Sequence, residues 1–149
     1  MRTAHLMLAG ILVAASAVPG LAATLAVTAT ATPDAGLYDY SYQFSITGAG
    51  ANLDDIFLGS NDLSPLNVVL EVDGTATADW SWLGNDTPEN YLQFFDFNGT
   101  ALGNGDVLDV TFSSTLVPEA TNFAIGLDGS TGVTTNTVTD VIAPTSSPT

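Results

Sequence analysis

Between Leu37 and Thr47 the chain reads LYDYSYQFSIT, so that Tyr38, Tyr40, Tyr42, Phe44 and Ile46 alternate with Asp39, Ser41, Gln43, Ser45 and Thr47. Successive side chains of a β-strand leave on opposite sides, and a strict period of two that sets aromatic against polar residues therefore predicts a strand with one buried face. Such a strand needs a second layer over its aromatic face, and the remaining sequence has to supply it.

The same grammar repeats along the chain. Thr24 to Thr32 alternates small apolar residues with threonine and predicts a first strand, at a sheet edge because its side chains are small. Pro33-Asp34-Ala35-Gly36 reads as the turn into the aromatic strand. A Gly- and Asp-rich loop (48–55) precedes the short apolar run Ile56-Phe57-Leu58, and Gly59 to Pro65 forms another turn. Leu66, Val68, Leu70 and Val72 share one parity, and Asp73-Gly74 is a tight-turn signal. Ala76 to Leu83, with Ala76, Ala78, Trp80 and Trp82 on one face, is then the expected second arm of a hairpin.

Further on, Asn90 to Phe97 is apolar enough for a central strand. Val107 to Thr115 turns Leu108, Val110 and Phe112 inward, Val117 to Thr121 reads as a loop, and Asn122 to Leu127 and Val133 to Ile142 complete the strands. The expected fold is all-β, an antiparallel β-sandwich of eight or nine short strands, jelly-roll or immunoglobulin-like, with the topology left open.

The first residues have a different character. Arg2 and His5 precede the apolar run Leu6 to Val18, and the segment closes in Pro19-Gly20-Leu21-Ala22-Ala23. This is the layout of a secretory signal peptide, expected to be helical and cleaved after Ala22 or Ala23. The run falls short of the roughly 20 apolar residues of a spanning helix, so no membrane insertion is expected once it is removed. The expected organisation is a signal peptide at 1–23, a sandwich domain at 24–142 and a flexible Pro/Ser/Thr tail at 143–149.

Charge narrows the function classes. Of 149 residues, 16 are Asp or Glu, and Arg2 is the sole Lys or Arg. Without the signal segment the protein has no basic side chain for phosphates, which excludes nucleic acid and anionic membrane surfaces as natural partners. There is no cysteine, and the single histidine, His5, leaves with the signal. Thiolate chemistry, histidine triads and lysine nucleophiles are thereby ruled out of the exported protein, and carboxylate pairs alone are not expected to make it an enzyme.

Calcium is the metal that an oxygen-rich, lysine-free chain would favour. Asn52, Asp54, Asp55, Asn61 and Asp62 form one candidate group of ligands, and Asn104, Asp106 and Asp109 a second. Neither has the spacing of an EF-hand loop, and Asn, Asp and Gly also gather in turns for backbone reasons. Trp80, Trp82 and Tyr91 are the aromatic candidates for stacking on a sugar, the competing role being core packing.

The signal segment, the strand Tyr38 to Ile46, the stretch NYLQFFDFNGTALGNGDVLDVTFSS (Asn90 to Ser114) and the close in Val141-Ile142-Ala143-Pro144 together resemble bacterial PEP-CTERM-type exported proteins. The resemblance implies a small β-sandwich sorted by an exosortase to the envelope or the extracellular polysaccharide matrix. The family's Pro-Glu-Pro tail, apolar segment and basic cluster are not present; the chain ends in APTSSPT, and Val117-Pro118-Glu119-Ala120 is internal. The expectation is a chain cut just before its sorting tail, or a freely secreted relative. Its expected role is structural or adhesive and non-catalytic, with polysaccharide or other surface proteins as partners. The alternative is a carbohydrate-binding module, calcium-assisted if the acidic loops hold the ion.

Overall fold

A computed structural model describes the backbone of Leu8–Ala9 and residues 20–146. Of the expected signal segment, 1–23, only Leu8–Ala9, which are extended, and the non-helical residues 20–23 are described; Ala23 is buried in the core and Ala22 N–H donates to Thr134 O at 3.0 Å. No helix occurs among the described residues.

Among the described residues, twelve strands form two antiparallel sheets. The first sheet has the order β1 (Leu8–Ala9), β2 (Thr24–Asp34), β3 (Leu37–Thr47), β9 (Val107–Ser114), β5 (Leu66–Val72) and β6 (Thr75–Ala76). The second runs β11 (Val133–Thr134), β10 (Val117–Asp128), β4 (Asp55–Gly59), β8 (Tyr91–Asp96) and β7 (Trp80–Asn85), with β12 (Val138–Ser146) also paired to β10.

The aromatic strand is central, as its alternation requires. Tyr40, Tyr42, Phe44 and Ile46 are buried, while Asp39, Ser41 and Gln43 face water. Along the inner face Tyr40 and Tyr42 stack at 6.4 Å and Tyr42 and Phe44 at 5.7 Å; Phe112 of β9 lies 5.3 Å from Tyr40. Phe44 reaches the opposite sheet, with its ring 6.0 Å from Phe94 of β8. Each buried tyrosine places its hydroxyl: Tyr40 donates to Leu116 O at 2.8 Å, and Tyr42 donates across the core to Ile142 O at 2.7 Å. Burial pushes both phenols well above the ordinary tyrosine range.

The β2–β3 hairpin closes at Ala35-Gly36, both with positive φ (51° and 89°), so the expected turn is two residues long and Pro33 and Asp34 belong to the strand. On its other side β2 takes Leu8–Ala9 at Ala31 and Thr30. Nearer its start, Asn136 supplies a side chain where a strand would supply backbone: Leu25 N–H donates to Asn136 Oδ1 at 2.8 Å, and Asn136 Nδ2 donates to Leu25 O at 3.0 Å.

Several expectations need correction. Asp73-Gly74 does close a hairpin (φ 53° and 81°), but its second arm is only β6; the chain then crosses to the second sheet as β7. Ala76 and Ala78 therefore lie exposed, apart from the face that buries Trp80. In β5 a bulge between Leu66 and Val69, with Asn67 at φ 54°, reverses the parity. Leu66 consequently points outward and is 51 % exposed, whereas Leu70 stays in the core.

The stretch Val117 to Thr121 is the first part of the 12-residue strand β10, not a loop. Its Pro118 sits opposite Pro144 at a register shift, where neither residue has an N–H to lose from the ladder. The expected tail at 143–149 is strand as far as Ser146, with Ala143 and Pro144 buried, and its last residues, 147–149, lie outside the described range. The last strand of the sequence reading is two strands, β11 and β12, separated at residues 135–137. Leu53 and Leu102, paired as an isolated bridge, are both fully buried beneath the loops on either side.

Candidate binding face

In the second sheet Ile56, Leu58, Leu92, Phe94 and Ala124 point into the core. The residues between them therefore point out. Strand register arranges these outward side chains in rows. Leu127, Asp55, Phe95 and Ser81 form one row, and Ile125, Phe57, Gln93 and Leu83 the next. In the third row Gly59 lies between Tyr91 and Phe123, and Asn85 follows Tyr91.

A layer that belongs in water is thus largely aromatic and aliphatic. The side chains support one another: Tyr91 meets Phe57 edge-on, with centroids 5.4 Å apart at 83°. Gly59 has a role here, because a Cβ at this position would come within 2.8 Å of the Phe123 ring. The absence of a side chain lets Phe123 lie across β4. Two shallow depressions result, one lined by Phe57, Pro88, Glu89, Tyr91, Phe123 and Ile125, the other by Asp54, Asp55, Leu83, Gln93, Phe95 and Asp96.

Polar groups on this face are few: the neutral Ser81, Gln93 and Asn85, and the acidic Asp55, with Glu89 at its margin. Asp55 accepts a hydrogen bond from Gln93 Nε2 at 2.8 Å in the middle of the apolar rows. Desolvation pushes its carboxyl above the usual range; the Gln93 hydrogen bond works against that, and the nearby Asp54 and Asp96 reinforce it.

The sequence candidates are distributed unevenly over this geometry. Tyr91 belongs to the face. Trp80 does not: it is 3 % exposed, and its indole N–H donates to Thr100 O at 2.8 Å. Trp82 is half-buried against the core, on the inner side of β7 opposite Phe94. A platform made of both tryptophans is therefore corrected to core packing for Trp80 and Trp82, because their shared parity is the inward one. Phe57, Phe95 and Phe123 are the aromatic members of the face that sequence reasoning missed.

The calcium candidates do not converge. Asp54 Oδ1 accepts the Gly129 N–H at 2.6 Å, and Asp55 lies on the outer face. Asp62 accepts from Ser64 N–H and Ser114 Oγ, while Asn61 Nδ2 donates to Thr145 O. Asn52 is exposed. In the second group, Asn104 Oδ1 accepts from Gly48 N–H and Asp106 Oδ2 from Gly103 N–H, and both fasten turns. Asp109 stands on the outer side of the first sheet between Gln43 and Glu71. Among the described residues, no three carboxylates or histidines come together in a group that could hold a metal ion.

Set against protein-family models, curated proteins and solved structures, the chain matches none.

Proposed function

We propose that this chain is an exported, non-catalytic protein of the cell surface or extracellular matrix, and that it adheres through the outer face of its second sheet. The observation that carries the reading is the band of Phe57, Tyr91, Phe95, Phe123, Ile125 and Leu83 turned toward solvent. Contiguous apolar area of this kind on a soluble surface marks an interaction site more often than a stability feature. The export signal, the loss of Arg2 and His5 with it, and the likeness to PEP-CTERM-type proteins support the same reading.

The topology reading goes with it. From β3 onward the chain changes sheet at β3–β4, β4–β5, β6–β7, β8–β9 and β9–β10, a repeated crossing that suits a jelly-roll sandwich better than an immunoglobulin-like one.

The test is retention at the surface. Cells producing the full chain or its Phe57→Ser/Leu83→Ser variant are fractionated, and the protein bound to envelope and matrix is compared with that free in the medium. A variant that folds but is released supports adhesion through this face. Equal retention of the two would overturn it.

A further inference from the structure

We infer that the occupant of this face is a protein segment that presents an apolar ridge flanked by Lys or Arg; this rests on the adhesive reading above and names its partner. Each depression of the face has acid in its lining, Asp54, Asp55 and Asp96 in one and Glu89 in the other. Asp55 is the decisive group, since its carboxylate lies among Phe57, Phe95 and Leu127 with only Gln93 as hydrogen-bond partner in the face. Covering the face removes the water that solvates this charge, and a partner that brings no cation would leave it buried and unpaired.

That requirement separates the occupants. A second copy cannot meet it, because past Arg2 the chain contains no Lys or Arg, and two such faces would press acid against acid. A neutral glycan could stack on the Phe and Tyr rings and donate hydroxyls to Asp55, but it would neither neutralise that charge nor use Leu83, Ile125 and Leu127, which have no ring face. A basic, amphipathic segment satisfies both halves of the surface at once and is steered to it by the acidic field of the whole protein.

Three probes decide the matter on the full chain by backbone amide resonances: a 14-residue Leu/Lys amphipathic peptide, its Leu/Glu counterpart, and a neutral oligoglucan. The Leu/Lys peptide is expected to shift resonances of β4, β8 and the second half of β10, with affinity falling about tenfold on raising monovalent salt from low to several hundred millimolar. Leu83→Ser, at an exposed edge position, and Asp55→Asn, which keeps an acceptor for Gln93, should each weaken it about tenfold without changing the rest of the spectrum. The Leu/Glu peptide should leave the face unchanged. Absence of Leu/Lys binding at this face, binding that is insensitive to salt and to Asp55→Asn, or oligoglucan shifts confined to the same strands would each overturn the inference. The last outcome would leave surface adhesion standing with a glycan as the ligand.

Discussion

At the scale of single residues, two groups hold opposite positions in the stability of this protein. Tyr42 joins the sheets through its hydroxyl, and Tyr42→Phe removes this buried hydrogen bond to the Ile142 carbonyl. A cost of about 1 kcal/mol in chemical denaturation is expected, the usual net worth of a hydrogen bond. The pH dependence follows from the raised phenols of Tyr40 and Tyr42. A group whose folded pKa lies above its unfolded value of about 10 gives its full stabilisation below that pH and loses it as pH rises further. Stability should therefore fall steeply in alkali above about pH 10, and less steeply in Tyr42→Phe, as followed by thermal melts across that range. Asp55 behaves as a carboxyl that is more stable protonated: its contribution is whole at low pH and is lost as pH rises through its raised pKa. Asp55→Asn should accordingly raise the melting temperature at neutral pH, an increase that disappears in acid, while the same change weakens cationic binding.

The strand scale shows what was legible in the sequence and what was not. β3 was plain because its two faces differ in chemistry, and Tyr40, Tyr42, Phe44 and Ile46 obey the alternation without exception. β8 was recognised as a central strand, yet its outward apolar row was not. In NYLQFFDF both parities are apolar, and double-sided burial explains that pattern as well as a solvent-facing aromatic row does. Leu66 was misassigned because one bulge at Asn67 inverts every side chain before it, and a bulge leaves no mark in a hydrophobic pattern. Trp80 and Trp82 shared a face as read, but only the crossing to the second sheet decides that this face is inward. Turn chemistry gives the prediction that belongs here. Ala35 takes a left-handed conformation at φ 51°, where Asn or Gly is the ordinary occupant of a two-residue hairpin turn. Ala35→Asn should stabilise the fold by about 0.5 to 1 kcal/mol in urea titration, with no change in the cooperativity of unfolding.

At the scale of the whole molecule, charge of one sign is the dominant fact. With 16 acidic residues and Arg2 as the one Lys or Arg in the sequence, the compact state works against its own repulsion, and screening should relieve it. Sodium chloride is expected to raise the melting temperature, and calcium at matched ionic strength to raise it by the same amount, since the acidic side chains are spread over separate turns and faces. A calcium-specific excess would mean that one of the two loop groups holds the ion, and calorimetry with and without chelator distinguishes the cases. The Asn136 amide that grips both backbone groups of Leu25 has a consequence beyond the fold. Open strand borders are templates on which neighbouring molecules can assemble into fibrils, and this border is closed at Leu25 by a side chain too short to be copied onward. A chain with so apolar an outer face gains from staying dispersed, and that amide denies identical chains one route to finding one another.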